Sequence, residues 1–122
     1  MKRSQYNYHT VNFSFASGSA GATIASGRLP EGKVIGASLF HAGNEPAEIV
    51  NLTLKQGGSQ LFYGSDVRDW KRRSGGDYIS SQKPLFEEGA RDYDLEFSVN
   101  GTLSAEFKGQ VVFTILKPGC EI

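Results

Sequence analysis

Apolar and polar side chains alternate in the last third of the chain. Tyr93, Leu95 and Phe97 are separated by Asp94 and Glu96, and Leu103, Ala105 and Phe107 resume the same period beyond Asn100-Gly101. Successive side chains on a strand point to opposite faces, so this spacing predicts strands with one dry and one wet face. A two-residue loop at Asn100-Gly101 would pair Phe97 with Ser104 and mix the faces. A three-residue loop of Val99-Asn100-Gly101 instead pairs Phe97 with Leu103, Leu95 with Ala105 and Tyr93 with Phe107. The pattern therefore predicts a hairpin with the longer loop, and places Gly101 in the left-handed position of a G1 bulge.

The same period runs through most of the chain. Tyr6 and Tyr8 alternate, as do Val11, Phe13 and Phe15, with a change of phase near His9-Thr10 that suggests a bulge or two strand pieces. Ala, Ser and Gly dominate residues 16–27, which read either as a short strand around Thr23-Ile24-Ala25 or as a connector. Leu29-Pro30-Glu31-Gly32 is a turn. Strands follow over Lys33–Phe40, Ala47–Lys55 and Gln60–Tyr63, then a polar, aperiodic loop over Gly64–Gly76. A short strand over Asp77–Ser80, a loop through Pro84, the closing hairpin and a final strand over Gln110–Leu116 complete the reading, with Gly109 as a bend or bulge where strand 102–108 passes into 110–116. No segment holds a helical period. About eight short strands at this spacing predict an all-β antiparallel sandwich, with a jelly roll favoured over an immunoglobulin-like order.

Length adds one domain over 1–122, with a short polar arm at 1–5. Eight Phe, five Tyr and one Trp against a single Met predict an aromatic core. Thirteen basic residues balance thirteen acidic ones, so no global field draws the chain to nucleic acid. Cys120 is the only cysteine, which rules out an internal disulfide and a zinc site built on several Cys. No window is apolar over the roughly 18 residues of a membrane helix. Ser4, Gln5 and Asn7 stand where a signal peptide would be greasy, so neither a signal peptide nor a membrane span is expected.

Candidate chemistry is sparse. His9 and His41 lack a second ligand at metal spacing, and no nucleophile elbow or phosphate loop is present. Glu87, Glu88 and Asp92 could surround calcium, but without a calcium-loop spacing the expectation is no metal, no cofactor and no catalytic residue. The segment Arg68, Trp70, Lys71, Arg72 and Arg73 is more informative, because four cations surround the only Trp. Trp and Arg dominate protein interfaces, which suggests an anchor there; the alternative is that Trp70 caps the core. A further alternative is a carbohydrate-binding sandwich with Tyr63, Trp70 and Tyr78 as a stacking platform. The basic segment and the acidic Glu87, Glu88 and Asp92 are complementary, so copies meeting head to tail would predict a homo-oligomer.

The segments Arg28-Leu29-Pro30-Glu31-Gly32-Lys33-Val34-Ile35-Gly36 and Gly101-Thr102-Leu103 through Val111-Val112-Phe113 give the chain its closest likeness. It resembles the small single jelly-roll structural proteins of viruses and bacteriophages. The resemblance implies a non-catalytic capsid, vertex, spike or tail-associated protein, partnered by itself and by other structural proteins. It implies a virion location, with the cytoplasm as the alternative. It also implies that the arm Met1–Gln5 and the stretch Ala16–Gly27 reach towards a neighbour.

Overall fold

Alternation decides which face of each strand is dry, and the burial follows it. In the computed structural model, which describes residues 5–43, 46–56, 59–71 and 83–119, Val11, Phe13 and Phe15 are buried while Thr10, Asn12 and Ser14 are exposed. Tyr93, Leu95, Phe97 and Val99 are buried between the wetter Asp94, Glu96 and Ser98. Eight strands result among the described residues: β1 (Tyr6–Phe15), β2 (Gly21–Arg28), β3 (Lys33–Ala42), β4 (Val50–Gln56), β5 (Ser59–Asp66), β6 (Lys83–Glu88), β7 (Asp92–Val99) and β8 (Phe107–Leu116). A 3-10 turn, Val67–Trp70, follows β5.

The strands form two four-stranded sheets, in the orders β1-β8-β3-β6 and β2-β7-β4-β5. Every pairing is antiparallel: β1 with β8, β2 with β7, β3 with β6 and β4 with β5, joined by β3 with β8 and β4 with β7. Aromatic rings fill the space between the sheets. Phe13 lies 4.8 Å from Phe97 and 5.0 Å from Phe107, centroid to centroid, in tilted geometries. Burying each such side chain contributes about 1.5–3 kcal/mol.

Several sequence expectations are corrected. β7 and residues 102–107 form no hairpin: β7 pairs with β2 and β4, and β8 with β1 and β3. Residues 100–106 cross from one sheet to the other, and loop backbone satisfies them: Leu103 N–H donates to Ser19 O at 2.9 Å and Asn100 N–H to Ile49 O at 2.8 Å. Leu103 is buried but Ala105 is exposed, because a period of two names the face a residue prefers and not the strand it pairs with. Gly101 does hold a positive φ of 98°, at a corner between sheets.

β1 is one unbroken strand, with ten consecutive partners in β8, so no bulge sits at His9-Thr10. Tyr6 and Tyr8 simply face the other way from Val11. The stretch 16–27 contains a true strand, β2. Gly109 is no bend but an interior position of β8, where β3 passes so close that a Cβ would stand 2.0 Å from Phe40 O. The loop expected through Pro84 is strand β6, at a sheet edge where the missing proline N–H is tolerated. The strand expected over Asp77–Ser80 lies outside the described residues.

Candidate functional site

The basic segment is built on the 3-10 turn. Asp66 opens it: one carboxylate oxygen accepts from Arg68 N–H at 3.0 Å and from the Arg68 guanidinium at 2.8 Å, and the other accepts from Val50 N–H at 3.2 Å. The Arg68 guanidinium also donates to Pro46 O. Arg68 is exposed, but it staples the turn to the β3–β4 connection. Trp70 points the opposite way and is 0% exposed. Its indole N–H donates to Ser65 Oγ at 3.0 Å, and the Lys83 ammonium lies 5.8 Å from the ring centre while pairing with Asp69. Trp70 thus plugs the core and offers no ring face to a sugar or a partner.

That placement answers part of the sequence expectation. Lys71 is half-buried beside the turn, while Arg72, Arg73 and Tyr78 lie outside the described residues and Tyr63 lies in β5. The platform of Tyr63, Trp70 and Tyr78 loses its central ring, since a fully buried indole cannot stack on a ligand.

The acidic group sits at the other end of the sandwich, where β3 starts and β6 ends. Glu88 accepts from the Lys33 ammonium at 2.5 Å, and that hydrogen bond and charge hold the Glu88 carboxyl below its ordinary range. Glu87 is half-buried and Asp92 exposed. The Tyr93 hydroxyl donates to Glu88 O, and burial, aided by the Glu87 charge, pushes the phenol up from its ordinary value of 10.0. The two charge groups therefore stand at opposite ends, as a head-to-tail contact requires, yet Arg68 and Glu88 already hold partners within their own chain. Among the described residues no three His, Cys, Asp or Glu come together as metal ligands, and no helix is long and apolar enough to cross a membrane.

What sequence reasoning missed is a difference between the two sides of the sandwich. On one side lie the edges of β5 and β6. β6 carries Lys83, Pro84, Glu87 and Glu88, β5 has a charge only at its end, Asp66, the ladders of the two with β3 and β4 are interrupted, and the 3-10 turn packs against β3, β4 and β5. On the other side lie the edges of β1 and β2. His9 clasps them together, its Nε2 donating to Ser26 O at 2.6 Å. β1 contains no charged residue and no proline, and β2 contains only Arg28. Edge strands in monomeric proteins are ordinarily blunted by charge, proline, bulges or a covering element. The β5/β6 side shows all four, and among the described residues β1 shows no charge, proline, bulge or covering strand.

The outer faces differ in the same sense. The first sheet presents Tyr8, Thr10, Asn12, Ser14 and Gln110, with Lys108 as its charge on β8 and with Phe40 at 38% and Tyr8 at 52% exposure, around a shallow depression of about 390 Å³ walled by Phe40, Lys108 and Gln110. The second presents Asp94 and Glu96, the latter paired with Lys55 at 3.1 Å. The signal for an uncharged strand was present in the composition of Tyr6–Phe15; its position at an edge was not. No protein-family model, curated protein or solved structure matches the chain.

Proposed function

We propose that this chain is a non-catalytic structural domain that works by associating with copies of itself, or by docking on a larger assembly such as a virion. The observation that carries this reading is the undefended β1 edge, set against a β5/β6 side blunted by charge, proline, bulges and a capping turn. An edge left open to this extent is a template for another strand.

The strand order supports a jelly roll over an immunoglobulin-like sandwich. Pairing β1 with β8, β2 with β7, β3 with β6 and β4 with β5 is what a single long hairpin makes, and folding it over adds β8 to β3 and β7 to β4. Two sheets of four strands with such crossings are the jelly-roll plan. Fold alone does not assign function, so the assembly reading rests on the edge and not on the name of the fold.

Sedimentation velocity across protein concentration and salt tests the reading. A species heavier than the monomer, persisting at high salt, is expected for backbone-mediated association. A monomer under every condition, with no binding to candidate structural partners, would overturn it.

A further inference from the structure

The geometry points to β1 as the seam between two copies of this chain. Residues His9–Phe15 of one protomer pair antiparallel with the same segment of a second, which joins two β1-β8-β3-β6 sheets into one eight-stranded sheet across a two-fold axis. This rests on the self-association reading above and names its surface.

Three observations select β1. Its only strand partner among the described residues is β8, so its far edge faces outwards. Its ladder with β8 runs through ten pairs without a register shift, so no bulge turns the edge away. β2, the neighbouring edge, is a poorer template: its ladder is interrupted between Ala25 and Arg28, and Ser26 O already accepts from His9.

Self-pairing also satisfies parity and charge. In an antiparallel pair centred on Asn12, as pairing of His9–Phe15 with itself requires, dry-face residues meet dry-face residues and wet-face residues meet wet-face residues. Val11 of each copy then stands beside Phe13 of the other, Thr10 faces Ser14, and Asn12 meets its own counterpart. This register sets no like charges opposite, because Tyr6–Phe15 has none. Antiparallel pairing of one strand with itself is isologous, so the contact closes as a dimer and does not grow into a fibre.

The test is a Thr10→Lys/Asn12→Lys double variant. Both positions are exposed, and in this register the lysines introduced at position 12 come directly opposite each other. Sedimentation velocity is expected to show a dimer for the unaltered protein and a dissociation constant raised at least about tenfold for the variant, with an unchanged thermal midpoint at concentrations where both are monomeric. Hydrogen exchange on the unaltered protein, independent of any substitution, is expected to slow within His9–Phe15 as concentration rises, with Gly21–Arg28 unaffected. A folded variant that associates as the unaltered protein does overturns the β1 seam and leaves self-association standing. So does protection that rises elsewhere and not in β1. A protein that stays monomeric at millimolar concentration overturns both.

Discussion

The two sides of the sandwich hold together by different means. The β5/β6 side is sealed by a fully buried Trp70, by the knot of Asp66, Arg68 and Pro46, and by the ion pair of Lys83 with Asp69. The β1/β2 side is held across the gap by the clasp of His9 to Ser26 O. Sealing removes a side from contact with anything else. β1, which carries no charged residue, has β8 as its one strand partner among the described residues, so its outer edge differs from the sealed side.

The largest effect that bears on this contrast is expected from Trp70→Ala. Emptying a fully buried indole site should cost about 3–5 kcal/mol, read as a shift in the denaturation midpoint. A loss below about 1 kcal/mol would mean that the sealed side is not sealed by Trp70. Asp66→Ala comes next. It removes the acceptor of Arg68 N–H, Val50 N–H and the guanidinium together, and should cost about 2 kcal/mol by the same measurement.

His9→Ala should cost less, about 1 kcal/mol, because it removes one part-buried hydrogen bond and leaves one carbonyl to find water. If it cost more than Trp70→Ala, the comparison of the two sides would be inverted. The smallest effect is a slope with pH. The Glu88 carboxyl is held below its ordinary 4.5 by Lys33, so its contribution is complete above that value and fades as pH falls through the lower folded one. Lys33→Met should flatten that slope between neutral and acid pH in thermal melts, with little change at neutrality, since the pair is exposed. An unchanged slope would show that Lys33 does not hold Glu88.

Much of the architecture was legible because its signal is local. Val11, Phe13 and Phe15 announce a dry face wherever the strand ends up, and their burial follows. β6 was illegible for the opposite reason. Lys83 reads as polar and Pro84 as a breaker, yet Lys83 faces inwards with its ammonium near Trp70 and Asp69, and Pro84 sits where an edge tolerates it. Trp70 misled through its neighbours. Four cations around it suggest a surface anchor, but a single 3-10 turn sends Arg68 outwards and the indole inwards.

From its residue pattern alone the chain specifies strands, their dry faces, an aromatic interior and the absence of charge over Tyr6–Phe15. Alternation is a property of each strand by itself, so no partner is needed to read it. Which strands are neighbours, that Asn100-Gly101 bridges two sheets, that Trp70 is a plug and that β1 lies at an edge were decided only by the tertiary structure. Those depend on contacts between residues far apart in the chain, and hydrophobic periodicity carries no information about which distant strand completes a ladder.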